Sequence, residues 1–289
     1  MKTNKKIQLI AIGLIAISIF IILIVSNTCL TITNYNLQCE NLPSSFNNFK
    51  IVHLSDLHNW DSGQDNKKLL TAIEQQNPDI IVMTGDMVTA TPDGAEIDVF
   101  ISFAQQLAGK YDVFFINGNH EYDIDATYPS LLHTPLSESG FHVLKNEKIS
   151  ISRDDQTIDI YGIPWHYFYN KRGDKVIFDL DKIKEFIGEK NDRNFSVLLT
   201  HDPSHFDIYS DWGADLTLCG HMHGGMIRIP FIGGVISPEG AFFPKYDAGL
   251  FDHNNKRLIV SRGLGNGNRG IRFLNPPEMV VITLKTTQR

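Results

Sequence analysis

Acidic and imidazole side chains gather at five places in this chain: Asp56 and His58 in SDLH, Asp86 in TGDM, Asn119 to Glu121 in GNHE, His201 in LLTHD, and His221 and His223 in GHMH. Almost every one follows a short apolar run, where a buried strand would end and present side chains at a sheet edge. The chemistry such a set can do is metal chemistry. Two cations held close together need a bridging group, and a carboxylate with two oxygens suits that role, which points to Asp86. Asp56 and His58 lie two apart, so an extended chain turns both to one side, and His221 and His223 repeat the spacing. Asn119 adds a neutral amide oxygen and His201 a further imidazole. Imidazole, carboxylate and amide oxygen without thiolate suit Mn, Fe, Zn, Co or Ni better than a structural zinc clamp. His120 is left over on a different heading, as a free imidazole suited to general acid work.

Taken singly, each block has an ordinary reading. SDLH or GHMH alone is a capped strand end, GNHE alone is a turn entering a helix with Glu121 as its first-turn acid, and His201 alone is a satisfied core histidine. Their joint occurrence in one order is what makes a site. His53, His133, His142, His166, His205 and His253 are assigned to structure or solvent, with His166 in PWHYFY and His205 after HDP the two to watch. No HExxH or HxHxDH run is present in the sequence.

The five blocks run as DxH, GDxx, GNHE, H and GHxH, and in this they resemble the calcineurin-like metallophosphoesterase superfamily. The resemblance implies a four-layer αββα sandwich, two stacked mixed sheets flanked by helices, with two divalent metal ions (Mn, Fe, Zn or similar). It implies Asp56, His58, Asp86 and His223 on one metal and Asp86, Asn119, His201 and His221 on the other. A hydroxide bridging the metals would attack phosphorus in line, with His120 stabilising or protonating the leaving oxygen. An apolar N-terminus, LPSSFNNFKIVHLSDLH, GHMHGG and the late SRGLGN to RFLNPPE segment are similar to the membrane-anchored bacterial branch. One departure is Met226, where that branch usually has Gln after GHxHGG. The expected substrate is a phosphodiester or pyrophosphate of the cell envelope, lipid-linked or wall-linked. The alternatives are an extracellular nucleotidase or phosphomonoesterase, and a non-catalytic binding protein of the same fold.

Residues 7 to 25 carry no charge, and at about 1.5 Å per residue they reach across a bilayer core. No small-x-small cleavage site follows, so an uncleaved transmembrane anchor is expected, with a cleaved signal peptide as the alternative. Lys2, Lys5 and Lys6 precede the span and no basic residue follows until Lys50, which places residues 1 to 6 in the cytoplasm and the catalytic domain outside the cell membrane. Of the 26 basic residues, 23 then lie with all 33 acidic ones on the outer part, a balance of −10 that disfavours nucleic acid as a partner. Cys29 and Cys39 are read as able to pair or to stay free, and Cys219 as a buried strand residue.

Residues 26 to 48 read as a polar, Asn-rich linker, and 49 to 285 as one metallophosphoesterase domain with a single sizeable core. Strands are predicted at 49 to 55, 79 to 84, 111 to 116, 159 to 163, 195 to 200 and 214 to 219, with helices at 65 to 77 and 95 to 108. A hairpin around Asn254 and Asn255 and a last strand from Met279 to Leu284 follow. Two loops are candidates to frame a substrate: 122 to 136 as an apolar wall or plain packing, and the loop holding Arg262, Arg269 and Arg272 as a phosphate grip or a solvated turn.

Overall fold

The computed structural model describes residues 2 to 91, 94 to 127, 131 to 165, 177 to 267, 270 and 272 to 287. In chain order the elements are α1 (Lys2–Thr28), β1 (Thr31–Cys39), β2 (Phe49–Leu54), α2 (Lys67–Gln76), β3 (Ile80–Met83), β4 (Thr89–Thr91), β5 (Gly94–Glu96), α3 (Asp98–Leu107) and β6 (Asp112–Phe115). There follow α4 (Asn119–Thr127), α5 (His133–Glu138), β7 (His142–Val143), β8 (Glu147–Arg153), β9 (Gln156–Ile163), α6 (Leu180–Ile187), β10 (Phe195–Thr200), α7 (Phe206–Trp212) and β11 (Leu216–Cys219). The chain closes with β12 (Arg228–Ile229), β13 (Gly233–Gly234), β14 (Gly249–His253), β15 (Lys256–Val260) and β16 (Glu278–Thr286).

Two six-stranded mixed sheets form, in the orders β1-β16-β2-β3-β6-β7 and β14-β15-β11-β10-β9-β8. Strands such as IIVM, FSVLLT and LTLC are apolar on both faces because both faces are covered. Ile51, Ile80, Val82 and Phe114 of sheet one meet Ile160, Val197, Leu199 and Leu218 of sheet two between the sheets. On the outer face of sheet one, Ile81, Met83 and Phe115 pack on Leu69, Ile73, Phe103 and Leu107 of α2 and α3. On the outer face of sheet two, Tyr161, Leu198 and Leu258 pack on Ile183 of α6 and Phe206 and Tyr209 of α7. The αββα expectation therefore holds.

All six predicted strands and both predicted helices form within a few residues of their expected bounds. The hairpin is β14–β15, and Asn254 and Asn255 both take positive φ, as a two-residue mirror-image turn needs. One expectation is corrected: the stretch 26 to 48 is not a linker throughout. It contains β1, which pairs in parallel with β16 along its length, and it buries Leu37, Cys39, Leu42 and Phe46 in the core between the sheets. Asn-rich β1 alternates half-buried and exposed positions, so its strand character comes from its partner more than from its composition. Cys29 and Cys39 are both free thiols, held apart by the extended β1.

Strand polarity sets where the site lies. β2 runs antiparallel to β16, while β3 and β6 run parallel to β2. The carboxyl ends of β2, β3 and β6 thus share one edge with the amino ends of β16 and β1. In sheet two, β9, β10, β11 and β15 are mutually parallel.

Candidate metal centre

Asp56 and His58 follow β2, Asp86 follows β3, Asn119 opens α4 just after β6, His201 follows β10, and His221 and His223 follow β11. The two sheets thus bring together every residue expected at the site. Asp56, His58, Asp86, His221 and His223 all take positive φ, between 46° and 67°. Such conformations are uncommon for residues other than glycine, and here they stop the strands and turn successive side chains into the gap between the sheets. Glycine is required where backbones meet. A Cβ at Gly118 would collide with Asp86, and one at Gly220 with Ser55 Oγ and Asp56 Oδ2.

Three groups of side-chain atoms converge: Asp56, His58 and His223; His58, Asp86 and His120; and Asp86, His201 and His221. Asp86 Oδ2 lies 3.7 Å from His58 Nε2 and 3.3 Å from His201 Nε2, so it reaches both sides of the centre. Asp56 Oδ1 lies 3.4 Å from His223 Nε2 and 4.0 Å from His201 Nε2. The outer ring nitrogens are anchored: His58 Nδ1 lies 3.2 Å from Thr89 Oγ1, and His201 Nδ1 lies 2.5 Å from the Thr84 carbonyl. His223 Nδ1 faces Arg272 Nη2 at 3.3 Å. Such outer contacts fix ring orientation and leave the inner nitrogen for a ligand.

Burial shapes the charges. It drives His58 down to about 3, and holds His223 well below the ordinary histidine range with help from His58 and Arg272. Burial opposes ionisation of Asp86, but His201 and His58 outweigh it and hold the carboxyl well below the usual carboxylate value. His201 is the counterpart: burial would lower it, yet Asp86, Asp56 and the Thr84 carbonyl raise it to about 10. Burial raises Asp56. His201 thus stands as the counter-charge that Asp86 faces most closely.

The donor set fits divalent cations. Asn119 Oδ1 is a buried atom without a hydrogen-bond partner, in a residue that lines one cleft with His58, Asp86 and His120, where a cation would satisfy it.

His120 sits apart in role. Its ring meets His58 edge-on at 4.7 Å, and its Nδ1 accepts a 3.0 Å hydrogen bond from the Ala90 N–H. A ring that accepts at Nδ1 carries its proton on Nε2, the nitrogen free to meet a substrate. Full proton donation would need a second ring proton where Ala90 already donates, so the geometry favours hydrogen-bond donation over general acid catalysis.

Several residues beyond the expected ligands shape the site. Glu121, read as a first-turn acid, is buried and accepts from the N–H groups of Asp86, Met87, Val88 and Gly118, bracing the Asp86 turn. Burial and Asp86 push its carboxyl up to about 7, against those backbone donors. Glu239 Oε1 lies 3.3 Å from His221 Nε2, and Trp165 packs 4.5 Å from the His221 ring. Together with Met226 and Pro238 they line a cleft of about 310 Å³ over Asp86, Asn119 and His120. Met226 is buried and lines that cleft, so the position keeps an apolar role.

The arginine loop is built differently from a phosphate grip. Arg272 is fully buried and donates to the carbonyls of Gly265 and Asn275, while Arg262 is paired with Glu278 at 2.9 Å. Arg269 lies outside the described residues. In the loop 122 to 136, Tyr122, Ile124, Leu132 and Leu136 pack inward or beneath the domain surface, and residues 128 to 130 lie outside the described set. His205 packs on Phe178 at 5.1 Å, and His166 lies outside the described residues. His53 is driven to about 3 by burial and bonds Thr84 Oγ1, behind the site.

The family model for calcineurin-like phosphoesterases matches residues 49–225. The chain belongs to that family. It is a metallophosphoesterase, a hydrolase of phosphoric esters. It is similar to the metallophosphoesterase YkuE of Bacillus subtilis, 30% identical over 260 residues that cover 88% of this chain and 85% of that protein. The phosphodiesterase YaeI of Escherichia coli is 26% identical over 240 residues, 82% of each chain. LpxG of Chlamydia trachomatis, a UDP-2,3-diacylglucosamine pyrophosphatase, is 27% identical over 302 residues, covering 84% of this chain and 86% of that protein.

Proposed function

We propose that this phosphoesterase holds two divalent cations, one by Asp56, His58, Asp86 and His223 and one by Asp86, Asn119, His201 and His221, and hydrolyses a phosphodiester or pyrophosphate of a membrane-linked envelope substrate. The observation that carries the ligand set is Asp86, whose Oδ2 stands between His58 and His201. Bound cations would supply charge neutralisation of the phosphoryl oxygens and a water acidic enough to attack at neutral pH. The chain does the rest. Thr84 and Thr89 hold the imidazoles in orientation, Glu121 keeps the Asp86 turn in place, and His120 Nε2 offers a hydrogen bond to the departing oxygen. Trp165, Met226 and Pro238 wall the cleft against water.

A diester is preferred over a monoester on charge grounds, whereas a pyrophosphate, which carries a second charge, rests on likeness to a pyrophosphatase. Among the described residues lining the cleft there is no Lys or Arg, and Glu239 adds a carboxylate. A phosphomonoester dianion would face that carboxylate with one more negative charge than a diester does. The names of YaeI and LpxG point the same way.

For location, the reading is a single-pass anchor with the domain outside. Helix α1 carries a 24-residue apolar span, Lys5–Thr28, whose side chains are almost entirely exposed. Full-length protein loaded with Mn or another transition metal is assayed on bis- and mono-p-nitrophenyl phosphate, nucleotides and a lipid extract, with membranes washed in high salt. Hydrolysis of diester and lipid substrates, abolished by chelation, is the expected result. Preference for nucleotides would replace it with a nucleotidase, and protection of the domain from protease added to intact cells would reverse the topology.

A further inference from the structure

Only Cys29 and Leu30 separate helix α1 from β1. The helix end is also tied sideways to the domain. Asn27 Nδ2 donates to the Arg272 carbonyl at 3.0 Å, and Asn27 Oδ1 accepts from Asn266 Nδ2 at 2.9 Å and from the Arg272 N–H at 3.2 Å. Asn266 lines the metal cleft and Arg272 packs under His223. Because the amino end of β1 and the carboxyl ends of β2, β3 and β6 share one sheet edge, the candidate centre lies on the side of the domain from which the helix leaves.

Next to that exit stands an apolar lobe. Phe273, one residue beyond Arg272, bonds Met226 and Arg228, which fixes the β12–β13 hairpin beside the helix end. The hairpin exposes Ile229, Ile232 and the whole of Phe231, and the neighbouring turn exposes Phe242 and Phe243. The same turn carries Pro238 and Glu239 into the cleft. Ile229, Phe231, Ile232 and Phe243 border one surface cavity, and so many bare apolar side chains together are unusual on a surface facing only water.

We propose that this lobe is a bilayer-docking surface: Phe231, Ile232, Phe242 and Phe243 enter the leaflet on the domain's side and set the mouth of the metal cleft at the lipid headgroups. The occupant is the same membrane that α1 crosses, because the helix exit and the lobe are joined through residues 272 and 273. Aromatic side chains inserted at the interface add apolar burial to an existing anchor, and they fix the orientation of the domain that one helix alone leaves free to pivot. The substrate class that follows is a phosphoester on a lipid, taken at the surface without leaving the bilayer. This inference rests on the anchored-hydrolase reading above.

The test uses full-length Phe231→Trp protein in phosphatidylcholine vesicles, with and without lipid brominated in its acyl chains. Brominated lipid is expected to quench roughly half of the emission that the introduced indole adds over the wild-type chain, as burial at the acyl boundary requires. In parallel, Phe231→Ser/Phe242→Ser/Phe243→Ser is compared with wild type on p-nitrophenyl hexadecyl phosphate held in the vesicles and on soluble bis-p-nitrophenyl phosphate. The ratio of the two turnover rates should fall about tenfold, chiefly through KM on the lipid substrate. An unquenched indole in a Phe231→Trp chain that survives the high-salt wash and hydrolyses the soluble ester would overturn the docking surface alone, and would assign the lobe to a protein partner or a second copy. A chain that washes off, or that leaves the soluble ester intact, overturns the anchored-hydrolase reading and this inference with it.

Discussion

The two sheet edges that meet at the candidate centre contribute different donor sets. Sheet one delivers the carboxylates Asp56 and Asp86, the Asn119 amide and two imidazoles, His58 and His120, whereas sheet two delivers imidazoles alone, His201, His221 and His223. Neither edge by itself supplies the whole donor set, so the candidate centre exists only where the sandwich closes. The contact between the edges is close. Gly220 of sheet two lies against Ser55 and Asp56 of sheet one with no space for a methyl group, and His201 reaches across to Asp86 and Asp56. Those two carboxylates raise the His201 pKa, so the contact between the edges is electrostatic as well as steric.

The sharpest way to break this contrast is to remove the carboxylate that serves both halves. Asp86→Ala should abolish metal loading at both positions and lower turnover of every substrate by at least about 10³-fold, read by elemental analysis alongside kinetics. Retention of one full equivalent of metal with substantial activity would show that Asp86 does not bridge. His120→Ala comes next. It should keep its metal and lose about 10²-fold, with His120→Gln recovering part of the loss, because an amide N–H replaces a hydrogen bond but not a transferred proton. A Gln variant as inactive as Ala on an alkyl phosphodiester would restore general acid catalysis.

The smallest effect tests the His201 proton. His201 is raised in the folded protein to about 10, so its contribution to the stability of the metal-free form is complete below about pH 6.5 and disappears as pH rises through about 10. A cation must displace that proton, so apparent metal affinity should climb by up to about tenfold per pH unit between about pH 7 and 9. Competition titrations against a chelator of known proton linkage check this, and a flat profile would mean that His201 is already unprotonated.

How far the sequence was legible differs between the same two edges. Strands with continuous apolar runs and the motif residues at their ends could be read because both signals are local. Burial of Arg272 could not be, since an arginine in a glycine-rich loop reads as solvated, and its partners include His223 in another loop and Asn27 at the end of α1. The orientation of His120 depends on the N–H of Ala90 in the short strand β4, and Glu239 arrives from a turn that carries no motif. β1 was missed because its asparagines weaken strand propensity and its partner lies at the far end of the chain.

That distant pairing has a consequence for how the molecule is made. β16 is the interior strand that joins β1 to β2, so sheet one stays split along its length until residues 278 to 286 have been synthesised. Until then β1 and β2 keep unpaired strand edges, and the slowest contacts to form are those of greatest sequence separation. A chain stopped anywhere before Glu278 therefore has an open seam beside the strand from which Asp56 and His58 extend, and loses more than a tail. Pairing Thr31 with Glu278 makes assembly of the metal site a report that the preceding residues have all arrived.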